Sequence, residues 1–213
     1  MAAYDASSGV TYDYGPATRF HTASTIKVAI LGALLRQAQD TKRPLTANQR
    51  SLAERMIEFS DNAATDVLWG AIGRGPGLAS FMAQIGMRQT VPGPGPGWSL
   101  TETTTVDLTM LMRAVAYPNS VLTNDSRVYI LQLMSDVTSS QRWGVSAAVR
   151  PGERVALKNG WMVVQNIWGI NGMGRLWGSG RDFVIAVLTN GSPTKNIGIA
   201  TVEGGTRIAV GGL

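Results

Sequence analysis

Cysteine is absent, which excludes disulfide frameworks, thiolate nucleophiles and Cys-ligated zinc sites. Histidine occurs once, as His21, so a multi-His metal centre is excluded too. A Ser-His-Asp triad would have to use that one ring. It lies only three residues before Ser24, too near in sequence to approach its hydroxyl from across a cleft, so a structural role for His21 is expected. No apolar run reaches the roughly 18 residues of a membrane span, and stable membrane insertion is not expected. Charge is sparse, at 15% of residues. The net charge is +5, yet the 19 Lys and Arg are scattered with no basic arm, which argues against a nucleic-acid partner. A mildly basic surface suits an anionic cell wall or carboxylate substrates.

Against those absences, 44% of the 213 residues are hydrophobic, enough for a sizeable core in a single domain spanning 1–213. Ala2–Asp5 and Val10–Tyr14 alternate around Ser8-Gly9 and predict a hairpin. Thr22–Asp40 is apolar at helical spacing nearly all round, the pattern of a buried helix. Helical periodicity recurs over 48–59, 61–71, 77–85, 104–115 and 125–136. Thr104 with Asp107 has the spacing of a capping box. Val91–Gly97 reads VPGPGPG, a turn-rich loop in which neither helix nor interior strand can form. After Gly152 the segments RVALKNG, NIWGING and DFVIAVLTNG are strand-like, and a last helix is expected over 196–210. This order predicts an α+β fold, with an antiparallel sheet from both chain ends (1–27 and 149–213) and an all-helical lobe (about 28–148) inserted between. A cleft would lie where the two lobes meet.

Three short motifs carry chemistry. Ser24-Thr25-Ile26-Lys27 opens the buried helix, where positions three apart share a face. Burial would strip the Lys27 ammonium of its proton, leaving an amine able to take the Ser24 proton. The Ser24 N–H, at a helix N-terminus, would be free to hold an oxyanion. A helix cap followed by a surface lysine would give the same four letters, but this lysine falls in a strongly apolar segment. Ser60-Asp61-Asn62 precedes another helix and fits a plain N-cap. It also fits Ser60 as a proton relay between Lys27 and a leaving nitrogen, Asn62 as a donor to a substrate carbonyl, and Asp61 pointing inward to hold the turn. Lys158-Asn159-Gly160 fits a hairpin turn. It fits equally a strand running through Gly160, whose bare Cα admits a ligand, with Trp161 giving a second oxyanion N–H.

In this order the three motifs resemble the set of class A β-lactamases and penicillin-binding proteins. The likeness covers nearly the whole chain, through FHTASTIKVAIL, FSDNAATDVL, TETTTVDLTMLM and DFVIAVLTNG. Nearer still is a group of exported bacterial serine hydrolases related to class A β-lactamases, with endings like GIATVEG. The resemblance implies the two-lobed β-lactamase/transpeptidase fold and catalytic roles for Ser24, Lys27, Ser60 and Lys158. It implies substrate contacts from Asn62, Asn159, Gly160 and Trp161, and requires neither metal nor cofactor. The implied partner is a small-molecule or peptide substrate, a β-lactam or peptidoglycan-type peptide. The implied location is outside the cytoplasm (periplasmic, secreted or wall-associated), with the signal segment lying outside this sequence.

Two departures stand out. Class A β-lactamases have a longer omega loop bearing a glutamate that activates the deacylating water. The stretch here shrinks to TVPGPGPGWSLTETTT, where Glu102 aligns with a structural acidic residue instead. Deacylation is therefore expected to be slow, since general-base help is worth about 10²–10⁴-fold. Asn159 replaces a Thr or Ser whose hydroxyl helps hold the substrate carboxylate, and its longer amide moves the donor. Arg175 and Arg181 are possible helpers, a solvated surface role being the plainer reading, and Trp98, Trp161, Trp168 and Trp177 are candidates for the cleft wall or the core. The expected activity is acyl-enzyme formation on Ser24. The competing readings are a non-catalytic β-lactam- or peptidoglycan-binding or sensing domain, and acyl transfer to an amine.

Overall fold

The computed structural model describes residues 1–15 and 17–211. In chain order its strands are β1 (Ala2–Asp5), β2 (Thr11–Asp13), β3 (Phe20–His21), β4 (Glu102–Thr103), β5 (Arg154–Val164), β6 (Ile167–Gly178) and β7 (Arg181–Ser192). Its helices are α1 (Lys27–Thr41), α2 (Ala47–Glu58), α3 (Asn62–Ala71), α4 (Arg74–Gln84), α5 (Thr105–Ala116), α6 (Asn124–Ser135) and α7 (Lys195–Gly211). Five strands form one antiparallel sheet in the order β2-β1-β7-β6-β5, built from both chain ends as expected. β3 and β4 pair separately, His21 facing Glu102.

Alternation along the strands separates two cores. On β7, Val184, Ala186 and Leu188 face the core shared with α1–α6, while Phe183, Ile185 and Val187 face the core under α7. On β5, Ala156 belongs to the first and Leu157 to the second. Lys158 therefore looks toward the helical side and Asn159 toward α7. The first half of α1 is buried on every side, from Lys27 to Leu35. Ile30 and Leu31 are fully enclosed there, each contributing roughly 1.5–3 kcal/mol. No helix among the described residues is long and apolar enough to cross a membrane.

Two local readings are resolved by the structure. Of the two open for Lys158-Asn159-Gly160, the strand running through Gly160 is the one observed, and Asn171-Gly172 and Asn190-Gly191 also lie inside strands. The β5–β6 turn falls instead on Gln165 and Asn166, both at positive φ (51° and 64°) as a two-residue hairpin requires. Thr104 does cap α5 by accepting the Asp107 N–H, but Asp107 does not return the bond. Its carboxylate accepts from Gln89 N–H and the Thr90 hydroxyl, pinning the segment before Val91. The full capping box occurs at Thr46 and Gln49, on α2.

Candidate active site

The segment expected to open as an α-helix begins as a 3₁₀ turn over Ala23–Ile26, and α1 takes over at Lys27. In a 3₁₀ turn positions i and i+3 eclipse, so Ser24 and Lys27 project on one side more directly than an α-helix would place them. The Lys27 N–H closes that turn onto the Ser24 carbonyl. Ala23, just before the serine, sits at φ 47°, a left-handed conformation costing on the order of 1–2 kcal/mol for a residue with a Cβ. Tertiary hydrogen bonds hold it there. The Thr22 N–H donates to the Thr101 carbonyl, and the Asn171 amide donates to the carbonyls of His21 and Thr22. His21 itself faces the Leu100 carbonyl through Nδ1, a structural position.

Gly160 lies directly on this turn. A Cβ there would stand 2.7 Å from the Ser24 nitrogen and 2.8 Å from the Thr22 oxygen. The bare Cα thus admits the backbone of Ser24 and Thr22. The expectation that it admits a ligand is replaced by this packing.

Lys27 has no exposed surface, and its Nζ donates to the Ser60 carbonyl (2.7 Å), the Ser60 hydroxyl (3.2 Å) and Asn62 Oδ1 (2.8 Å). Lys158, equally enclosed, reaches the same Ser60 hydroxyl from the sheet at 3.1 Å. Burial lowers the Lys27 pKa to about 7, against the opposing charges of Asp61 and Asp66. Burial and the neighbouring Lys27 charge lower Lys158 to about 7 as well. Near neutral pH the two amines therefore hold fewer than two protons between them, with one hydroxyl bridging them. Ser60 is itself at φ 58°, a second left-handed residue in the site. Among the described residues the Ser24 hydroxyl has no hydrogen-bond partner.

Asp61 does not point inward. It caps α3 through the Ala64 N–H and pairs with Arg55 on the outside, holding the turn from there. Asn62 is exposed, and with its oxygen on Lys27 its NH₂ has no partner among the described residues.

Asn159 departs from the expected substrate donor. Strand parity turns it to the face opposite Lys158, it is fully buried, and its amide donates to the Gln141 (2.6 Å) and Trp143 (3.0 Å) carbonyls. Gln141 in turn donates to the Phe59 carbonyl, one residue before Ser60. Asn159 is a clasp between β5 and the segment 141–143, with no side-chain N–H to spare. The Trp161 indole lies on that same side, 6.1 Å from the Trp143 ring with Lys195 3.8 Å above it, so only its backbone remains for the site. Arg175 and Arg181 are held in part-buried ion pairs with Asp182 and Glu153, not solvated. Trp177 is occupied with Arg154 and Arg175, and Trp168 packs at the edge of the α7 core.

Trp98 is the tryptophan at the amine, its ring centroid 4.7 Å from Lys27 Nζ. Its indole N–H is anchored on Asp66 at 2.7 Å. Glu102 has an exposed side chain, and its backbone pairs with Val91 and β3. No carboxylate among the described residues hydrogen-bonds Ser24, Lys27 or Ser60. Asn171 and Gln141 escaped the sequence reading. The one available signal was an Asn-Gly pair in the middle of a strand pattern.

Comparison with known proteins bears on the family and the fold. Residues 40–209 match Beta-lactamase2, described as a β-lactamase enzyme family; the match includes Ser60 and Lys158 and begins after Lys27. Curated relatives are named "Putative lipoprotein LppW" in Mycobacterium bovis and Mycobacterium tuberculosis, 24% identical over 168 residues. The match takes in 76% of this chain and 53% of each relative, so the chain spans about half their length. The fold is that of a class A β-lactamase from Mycobacterium abscessus (TM-score 0.84, 23% identity, 99% of this chain and 92% of that one). A β-lactamase from Burkholderia ambifaria gives a TM-score of 0.81 at 20% identity, over 99% of this chain and 92% of that one. With four-fifths of its length matched by the family and the fold shared end to end, the chain belongs to the β-lactamase enzyme family.

Proposed function

We propose that this family member is a serine hydrolase that becomes acylated on Ser24 by amide or ester substrates, β-lactams or peptidoglycan-type peptides. The observation that carries the reading is the Ser60 hydroxyl shared by two buried amines, 3.2 Å from Lys27 and 3.1 Å from Lys158, beside the turn that bears Ser24. Neutral Lys27 takes the Ser24 proton as Oγ adds to the carbonyl carbon. The N–H groups of Ser24 and Trp161 receive the oxyanion. Collapse breaks the C–N bond, and the proton passes from Lys27 through Ser60 to the leaving nitrogen. Charged Lys158 and the free Asn62 NH₂ orient the substrate's carboxylate and amide carbonyl.

Water attack on the resulting ester finds no carboxylate base hydrogen-bonded at the site among the described residues, so turnover is slow by about 10²–10⁴-fold against a site that has one. The mycobacterial relatives' name supports an envelope location. A binding or sensing domain is the second reading, favoured by the unpartnered Ser24 hydroxyl and the three protein acceptors already on Lys27. Intact-mass measurement after benzylpenicillin treatment separates the two. An adduct on the wild type that is missing in Ser24→Ala supports the acyl-enzyme; no adduct with benzylpenicillin or a fluorophosphonate leaves the binding reading.

A further inference from the structure

The segment 91–101 explains its own composition once its contacts are traced. The Trp69 indole donates to the Gly95 carbonyl at 2.9 Å, and the Gly93 N–H donates to the Thr101 hydroxyl at 3.0 Å. A Cβ on Gly93 would collide with the Gly97 carbonyl, so the chain doubles back on itself there. Pro92, Pro94 and Pro96 fix φ along the same path. The loop is then tied to the nucleophile, because Thr101 accepts the Thr22 N–H and the short helical turn Trp98–Leu100 packs against Ala23–Ile26. All this order serves to seat one side chain. Trp98 is 7% exposed, anchored on Asp66, with its ring across Lys27 Nζ.

Ser60 and Asn62 hold that nitrogen through three hydrogen bonds. A water approaching Lys27 from the loop side would have to stand where the indole is. We propose that Trp98 sets the lifetime of the acyl group on Ser24 by closing the Lys27 side of the nucleophile to water. This rests on the acyl-enzyme reading above. The step it hinders is hydrolysis: water oxygen adds to the acyl carbon, the Oγ–C bond breaks, one water proton returns to Ser24 Oγ, and the acyl group leaves as a carboxylic acid. Trp98 touches the base, not the substrate, and is a positioning residue for water by exclusion.

The test follows a preformed adduct. Wild type, Trp98→Ala, Trp98→Phe and Asp66→Ala are labelled with benzylpenicillin, stripped of free drug, and followed by intact mass, with the acylation rate measured separately. Opening the amine to water is expected to shorten the adduct half-life about tenfold in Trp98→Ala. Trp98→Phe, which keeps a ring over the amine, restores most of it. Asp66→Ala, which only frees the ring's anchor, shortens it less, by about threefold; should Trp98→Ala not fold, that variant decides. Unchanged half-lives in the folded variants, or a change in acylation alone, overturn the role given to Trp98 and leave the acyl-enzyme standing. A wild type that forms no adduct overturns both.

Discussion

The two flanks of the Ser24 turn are made of different material. On the sheet side and over the second motif the neighbours are polar and interlocked: Ser60, Asn62, Lys158 and the Gly160 backbone. On the loop side the neighbour is an indole, with its one acidic contact, Asp66, on the far edge. The first flank has the groups the proposed acylation uses, an amine with its pKa lowered to about 7 and a hydroxyl beside it. The second has, among the described residues, no hydrogen-bonded carboxylate with which the proposed deacylation could activate water.

That contrast can be broken at several points. Lys27→Met removes the base of the polar flank, and the acylation rate should fall by about 10²–10⁴-fold, read as second-order adduct formation. In the wild type the same rate should climb as pH rises toward about 7, where Lys27 loses its proton, and fall again above it, where Lys158 loses its charge; a rising limb that persists unchanged in Lys27→Met would remove Lys27 as the base. Gly160→Ala forces a Cβ against the Ser24 nitrogen and displaces the turn. A shift of that size is worth about 10²-fold in rate. Acylation within threefold of wild type would mean that the Gly160 contact does not set the nucleophile.

Lys158→Met sharpens the contrast from the side of stability. A lysine lowered from 10.5 to about 7 on folding binds more protons unfolded than folded between those values. Stability therefore rises with pH across that window, and the full penalty applies below it. The substitution should raise stability at pH 7 by about 1–4 kcal/mol and flatten the rise, as urea titrations at pH 6 to 10 would reveal. The smallest effect belongs to Asn159→Ala, which strands the Gln141 and Trp143 carbonyls and should cost about 1–3 kcal/mol. If Asn159 held a substrate carboxylate instead, affinity would fall while stability stayed.

Much of this molecule was legible in its letters. Helical spacing placed α1–α7 to within a few residues, because each has an apolar stripe or a buried circumference. Burial of Lys27 followed from the letters around it, VAILGALL. The sequence was silent where backbone and distant side chains decide. Nothing local distinguishes an Asn-Gly that turns a hairpin from one whose glycine meets another segment; Gly160 meets the Ser24 turn, 136 positions earlier in the chain. Asn159 was misassigned because period-2 parity within β5 fixes its face, and the parity could be read only from the cores on either side. Trp98 was one of four candidate tryptophans, and the proline-glycine loop that selects it has no periodicity to read.

The most direct test is the position of the label. After brief exposure to benzylpenicillin, tryptic mapping should recover the added mass on the peptide Phe20–Lys27, on its single serine, Ser24. Label on Ser60, on another peptide, or nowhere, would contradict the assignment of Ser24 as the group that Lys27 activates.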